Sequence, residues 1–92
     1  MFFDFARSAI LLNESLELTR TLGDRRGVAA TMSLLGETAR FQGNYRRATD
    51  LLEESLELQQ ELGDRWASYH TLYRLGETER DQGLNARATA LH

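Results

Sequence analysis

The sequence predicts an all-α protein built from a tandem helix–turn–helix repeat, and three observations support this prediction. Residues 11–50 align without a gap over residues 51–90 and match at 22 of 40 positions, far more than chance would give. Proline is absent and Leu, Glu, Arg and Ala dominate, which favours helix. Glycines at matching positions divide each copy into segments of helical length.

Length and composition bound the class of protein. Ninety-two residues make one small domain, so we expect a single domain over residues 1–92. The net charge of −3 and the mixed distribution of charge argue against a nucleic-acid-binding surface. Cysteine is absent, which removes disulfides and thiolate chemistry. No apolar run is long enough to cross a membrane, so a cytoplasmic location is expected. All basic residues are Arg, which is typical of a GC-rich bacterial genome.

Paired residues at the segment boundaries predict where helices end and begin. In Gly23-Asp24 and Gly63-Asp64 the glycine can adopt the left-handed conformation and the aspartate can cap the next helix. Gly43-Asn44 repeats this chemistry, and Gly83 is predicted to end the following helix. The expected helices cover residues 4–22, 25–42, 44–62 and 65–82, followed by a short helical stub at 84–92.

Apolar residues recur at the three-and-four spacing of a helix that buries one face. The second helix places these residues on one stripe: Val28, Ala29, Met32, Leu35, Gly36 and Ala39. The third helix has a comparable stripe: Tyr45, Ala48, Leu51, Leu52, Leu56, Leu58 and Leu62. Gly36 and its equivalent Gly76 lie mid-helix, where glycine costs about 1 kcal/mol relative to alanine. We therefore expect a neighbouring helix to approach closely at both positions.

These residues resemble the tetratricopeptide repeat, whose pattern combines a large apolar residue, Leu-Gly, and a later Ala with a large apolar residue. The first copy supplies Met32, Leu35, Gly36, Ala39, Tyr45, Ala48 and Leu52. The second supplies Leu72, Leu75, Gly76, Glu79, Asn85, Ala88 and His92. The usual period is about 34 residues, so a period of 40 looks like a long variety of the repeat.

The resemblance implies a fold and a general function. Antiparallel helix–turn–helix repeats would stack as a short right-handed α-solenoid whose first helices line a concave, partner-binding face. A half repeat would cover residues 1–22, a full repeat 25–62, and a repeat with a truncated last helix 65–92. The implied function is a non-catalytic scaffold for protein–protein interaction.

Two equivalent stripes are expected to point to the concave side. The first stripe consists of Arg26, Ala30, Ser33, Glu37 and Arg40. The second stripe consists of Trp66, His70, Tyr73, Glu77 and Arg80. We expect a protein or peptide to contact Ser33, Glu37, Arg40 and the whole second stripe, because aromatics with polar edges are favoured anchors. Alternatively, Trp66 and Tyr73 cover a helix–helix seam, and the Glu–Arg pairs are ordinary surface ion pairs.

The residue inventory favours a protein that is not an enzyme. The glutamates of the third helix are strung along one face and do not converge on a cation. His70 has no second metal ligand one turn away, and Ser68 lies on a different helix face. No glycine-rich phosphate loop is present in the sequence. We therefore predict no catalytic, cofactor-binding or metal-binding residues.

The ends of the chain predict self-association. Apolar residues occur at both ends: Phe2, Phe3, Phe5, Leu84 and Leu91. Arrays of this kind usually need about three repeats and polar caps, so copies are expected to associate as a homo-oligomer, by end-to-end stacking or by exchange of a terminal helix. Two functions stay open at this point. The chain is an interaction scaffold within a larger bacterial regulatory protein, or it is a self-associating helical module.

Overall fold

A computed structural model describes residues 4–90 of the chain, and the side chains of residues 4–87. Four α-helices follow one another: α1 (Phe5–Leu22), α2 (Arg25–Phe41), α3 (Tyr45–Glu61) and α4 (Arg65–Ala90). Four residues for which the sequence analysis suggested a role lie outside the described part of the chain: Phe2, Phe3, Leu91 and His92. The side chain of Ala88 is likewise not described.

The three turns between the helices share one geometry. Each contains a glycine in the left-handed conformation: Gly23, Gly43 and Gly63, with φ of 69°, 79° and 69°. The next residue caps the following helix by accepting a hydrogen bond from the backbone N–H three positions along: Asp24, Asn44 and Asp64. The left-handed conformation lets the chain reverse, and the cap satisfies a free amide of the new helix. The predicted turn pairs are therefore confirmed.

The predicted helix end at Gly83 is wrong. Helix α4 continues through Gly83 to Ala90, so residues 84–90 belong to the same helix and are not a separate stub. Gly43 is followed by Asn44, whose side chain accepts the hydrogen bond from Arg47 N–H. Gly83 is followed by Leu84, which has no side-chain acceptor and cannot start a new helix in this way.

The apolar core lies between α1, α2 and α3. Its buried members are Leu16, Met32 and Leu35, with Leu12, Val28 and Leu51 packed against them. The predicted stripe on α2 is confirmed, because Ala29, Met32, Leu35 and Ala39 are all buried.

The two mid-helix glycines differ in their surroundings. A Cβ added to Gly36 would lie 2.6 Å from Cγ of Leu52, which confirms the expected close approach of α3. The same expectation is wrong for Gly76, around which nothing lies within 4 Å of the added Cβ. Gly36 faces α3, whereas no helix within residues 4–90 covers the corresponding part of α4.

Several polar side chains of α3 and α4 are buried, and a hydrogen bond from Thr71 Oγ1 to Gln59 Oε1 joins the two helices. Ser55, Gln59, Thr71 and Thr78 are all buried. Ser55 Oγ also donates a hydrogen bond of 2.6 Å to the carbonyl oxygen of Ala29 on α2. The predicted stripe on α3 is confirmed at Ala48 and Leu52, which are fully buried. The buried polar residues of α3 were not predicted, because periodicity was sought only among apolar residues.

Each helix packs against the next one in the chain, and α2 also contacts α4. The helices therefore form an all-α repeat solenoid, as the sequence predicted, with extents of 49 × 28 × 21 Å. Since α2 and α4 are equivalent helices of successive repeats, their contact places the first stripe of residues next to α4.

Candidate functional site

An ion-pair network joins α2 to α4 at one end of their contact. Arg40 Nη1 donates to Asp81 Oδ2 at 2.6 Å, and Arg40 Nε donates to Glu37 Oε1 at 2.7 Å. Arg74 Nε donates to the second carboxylate oxygen of Glu37 at 3.1 Å. These groups are only partly exposed, so the pairs are better shielded from water than typical surface ion pairs. The network holds α4 in place beside α2.

The network raises the pKa of Arg40 above its ordinary value. Burial by itself lowers the pKa of Arg40, but hydrogen bonds and charge from Asp81 and Glu37 outweigh it and raise the pKa. The guanidinium carbon also lies 4.5 Å from the ring centroid of Phe41, within the range of a cation–π contact. Arg40 therefore serves as a fixed cation between three neighbouring groups.

Hydroxyl groups continue the α2–α4 contact towards α3. Ser33 Oγ lies 3.1 Å from Thr71 Oγ1, and Thr71 Oγ1 donates to Gln59 Oε1 at 2.7 Å. Arg74 Nη1 donates to Ser33 Oγ at 2.7 Å. Ser33 is only 1% exposed, so its hydroxyl is used inside the protein.

The second stripe, on α4, is mostly open to solvent. Trp66 is 75% exposed and Tyr73 is 62% exposed, and His70 is also exposed. The ring of Trp66 meets that of His70 edge to face, with centroids 4.8 Å apart. Arg80 and Glu77 form an ion pair at the surface.

The two equivalent stripes thus have different surroundings. On α2, Ser33, Glu37 and Arg40 face α4 and bond to it. On α4, no helix within residues 4–90 lies against the corresponding face. The structure therefore brings the predicted α2 residues into an internal seam and leaves the predicted α4 residues available for contact.

Four participants in the seam were missed by the sequence analysis: Gln59, Thr71, Arg74 and Asp81. Two of them carry a signal in the alignment of the repeats. Arg74 stands opposite Leu34, and Asp81 stands opposite Phe41. A change from apolar to charged at equivalent positions indicates that the two helices have different neighbours. Only differences within the stripes themselves were considered in the sequence analysis.

Two open grooves flank the seam. One, between α2 and α4, measures about 300 Å³ and is lined by Ala30, Ser33, Leu34, Gln59, Ala67, His70, Thr71 and Arg74. The other, the α1/α2 groove, measures about 440 Å³ and is lined by Phe5, Ser8, Leu11, Leu12, Leu34, Glu37, Thr38 and Phe41. The rings of Phe5 and Phe41 stack in this second groove with centroids 5.4 Å apart. The first groove is mixed in character, and the second is mainly apolar.

Two further searches concern residues 4–90. In that part of the chain, no group of three or more His, Asp or Glu side chains is placed to hold a metal ion. None of its helices combines the length and the apolar character needed to cross a membrane.

Comparison with known proteins agrees with the repeat geometry. The sequence profile of the tetratricopeptide repeat matches residues 4–61, which span α1, α2 and α3. The comparison with curated proteins gave no match. The matched segment covers more than half of the chain, and its helices pack as successive repeat elements. The chain therefore belongs to the tetratricopeptide repeat family.

Proposed function

We propose that the chain is a non-catalytic protein-interaction module whose contact surface is the second stripe on α4. Repeats of this family typically form scaffolds for protein–protein interaction. One observation carries the choice of surface. Ser33, Glu37 and Arg40 of the stripe on α2 are used in bonds to α4, whereas Trp66 and Tyr73 are exposed.

The chemistry of the second stripe suits a protein or peptide partner. Trp66, His70 and Tyr73 combine a flat apolar face with a polar edge, which is the character of residues that dominate binding energy. Glu77 and Arg80 lie along the same helix and offer one charge of each sign. A segment with apolar side chains and a few polar groups would match this surface.

Three residues first expected to touch the partner support the surface from within. Ser33, Glu37 and Arg40 bond to residues of α4. Their contribution is to hold α4 in a fixed position, so that the aromatic side chains do not lose additional freedom on binding.

Peptide selection tests this surface. A random peptide library is selected on the immobilised chain at low surface density and counter-selected on the Trp66→Ala/Tyr73→Ala double variant. Each enriched peptide is then measured against the single variants. Removing an aromatic anchor costs about 2 kcal/mol or more, so we expect the Kd to rise at least about tenfold.

The matched control is Leu84→Ala, which removes an exposed apolar side chain of the same helix outside the second stripe. The Kd of the enriched peptides should change less than about twofold with this variant, because energetically important residues are few and clustered. Enriched peptides that depend on Leu84 but not on Trp66 or Tyr73 would place the contact surface elsewhere.

Three finer expectations belong to this proposal. We propose that the module is a regulatory arm of a larger bacterial protein in the cytoplasm. The absence of Lys supports the bacterial source alone. The sequence that adjoins this segment in the source gene tests the context, and an attached DNA-binding or ATPase domain is the expected finding. A self-associating module is the second candidate, because large apolar side chains are exposed on α1 and α4.

A further inference from the structure

Equivalent positions on α2 and α4 differ sharply in burial. Met32 is 5% exposed, whereas its equivalent Leu72 is 52% exposed. Gly36 is buried against Leu52 of α3, whereas Gly76 is exposed with open space around it. The difference has one structural cause. Helix α3 covers this face of α2, and no helix within residues 4–90 covers the same face of α4.

Helix α1 has the sequence of the helix that this face would accept. Residues 11–22 match residues 51–62 of α3 at 8 of 12 positions. Leu51 of α3 packs against the core cluster, whereas its equivalent Leu11 is 57% exposed. Helix α1 therefore repeats the sequence of α3 and leaves exposed a residue that α3 uses in packing.

The distribution of exposed apolar residues points the same way. Among the described residues, the exposed large apolar side chains on α1 are Ile10, Leu11, Leu18 and Leu22. Those on α2 and α4 are Leu34, Phe41, Trp66, Tyr69, Leu72, Tyr73 and Leu84. Helix α3, which has α2 on one side and α4 on the other, has none in this set. Nine of these eleven side chains thus lie on α1 and α4, the first and last helices of the described chain.

We propose that α4 of one copy docks in the α1/α2 groove of a second copy, in the register by which α2 packs on α3 and α4. This proposal rests on the proposed function, since it assigns a partner to the exposed surface of α4. The internal contacts of the chain serve as the template. Each residue of α2 is replaced by the residue 40 positions later, and each residue of α3 or α4 by the residue 40 positions earlier.

In this register, the close contact between Gly36 and Leu52 has an equivalent between the two copies. Gly36 against Leu52 becomes Gly76 against Leu12 of the second copy. Leu12 is partly buried and lines the α1/α2 groove. In the same register Leu11 of the second copy takes the place of Leu51, which packs within one chain against the cluster that contains Met32, the equivalent of Leu72. The approach of two backbones at a glycine is therefore preserved between copies.

At one pair of positions the template changes on both sides together. Within the chain, Arg74 Nη1 donates a hydrogen bond to Ser33 Oγ. Between copies, the equivalent residues bring Tyr73 onto Leu34, and both are exposed in the free chain. A polar pair inside the chain thus becomes an aromatic–apolar pair between copies. This matched change favours a second copy over an unrelated partner.

The proposed contact is heterologous, because the α4 surface and the α1/α2 groove are different parts of the molecule. Such contacts form open, growing assemblies unless a ring closes. The assembly would continue the solenoid from one copy to the next.

Two variants block opposite halves of the contact, and each has a matched control. Gly76→Leu adds a side chain where the free chain has open space but the docked chain has Leu12. Its control is Gly83→Leu, at another open glycine of α4. Leu11→Glu places a charge in the α1/α2 groove. Its control is Ile10→Glu, because the equivalent residue Asp50 is already an exposed acid.

The measurement is the mass of the full chain in solution, by sedimentation and light scattering over about two decades of micromolar concentration. We expect the wild-type chain and both controls to grow beyond dimers as concentration rises. Gly76→Leu and Leu11→Glu should each weaken association at least about tenfold. An equimolar mixture of the two variants should form dimers that do not grow further. The intact α1/α2 groove of Gly76→Leu can bind the intact α4 surface of Leu11→Glu, and the remaining two surfaces are blocked.

Three results would overturn the proposal. The first is a wild-type chain that stays monomeric over this range. The second is a dimer that does not grow and is not restored by mixing the variants, which would indicate a symmetric contact. The third is a Gly76→Leu or Leu11→Glu variant that associates as strongly as the wild-type chain. If peptides still depend on Trp66 and Tyr73 when the chain is monomeric, only the partner is wrong and the proposed function stands.

Discussion

The two mid-helix glycines allow one substitution to be compared in two different surroundings. Gly36 and Gly76 occupy the same position of successive repeats, within the shared segment Leu-Gly-Glu-Thr. A Cβ at Gly36 would lie 2.6 Å from Cγ and 2.9 Å from Cδ2 of Leu52, and 3.2 Å from the carbonyl oxygen of Ala48. Nothing lies within 4 Å of a Cβ at Gly76. The substitution Gly→Ala at each position therefore tests the packing of α3 against α2.

The magnitudes follow from two opposing effects. Alanine is favoured over glycine in a helix by about 1 kcal/mol, and this gain applies equally at both positions. Carbon atoms in good contact are about 3.5–4.0 Å apart, so the added methyl at Gly36 overlaps Leu52 by about 1 Å. Leu52 is fully buried and has little room to move, and overpacking of this kind costs about 1–3 kcal/mol. Gly76→Ala should raise the free energy of unfolding by about 1 kcal/mol, and Gly36→Ala should lie about 1–3 kcal/mol below it.

Thermal unfolding followed by circular dichroism measures this difference. A change of 1 kcal/mol moves the Tm of a domain of this size by about 4–8 °C, so the two variants should separate clearly. The protein concentration is kept low enough for the chain to be monomeric, because association would stabilise the folded state. Equal Tm values for the two variants, or a higher Tm for Gly36→Ala, would refute the packing of Leu52 against α2.

Three further substitutions test the seam between α2 and α4 and the capping of α4, each by urea unfolding. Arg40→Gln should lower the free energy of unfolding by about 1–3 kcal/mol, because it removes the guanidinium partner of partly buried Asp81 and one of the two partners of Glu37. The exposed equivalent Arg80→Gln should change the free energy of unfolding by less than about 0.5 kcal/mol, and similar losses for the two variants would contradict the seam. Thr71→Val should lower the free energy of unfolding by about 1–2 kcal/mol, because Gln59 loses its hydrogen-bond donor. Thr71→Ser keeps the hydroxyl and should restore most of this loss. A serine variant as unstable as the valine variant would show that the hydroxyl is unimportant. Asp64→Ala should lower the free energy of unfolding by about 1 kcal/mol, because the helix cap of α4 is lost. An unchanged urea midpoint would show that the start of α4 does not depend on this cap.

Local features of the fold were predictable because they depend on neighbouring residues. The turns at Gly23, Gly43 and Gly63 each need a residue that tolerates positive φ, followed by a side chain that accepts from a backbone amide. Both properties can be seen in the sequence. The buried stripe of α2 was also predictable, since helical periodicity alone selects the face that packs.

The predictions that failed did so for two different reasons. At Gly83 a local signal was overlooked, because the next residue is Leu84, which offers no cap, and α4 continues through the glycine. At Gly76 the outcome depended on residues distant in the chain, because close approach requires a second helix as well as a glycine. The repeat was assumed to behave alike in both copies, whereas its copies have different neighbours.

The features of the candidate site can likewise be separated into those set by local sequence and those set by tertiary contacts. The sequence by itself determined the repeat, the helices, their turns and the two equivalent stripes of residues, because these follow from local conformation and periodicity. Only the tertiary structure decided that Ser33 and Arg40 are used against α4 while Trp66 and Tyr73 remain exposed. The physical reason is that equivalent residues of a solenoid become equivalent in function only when the same helix lies beside each of them.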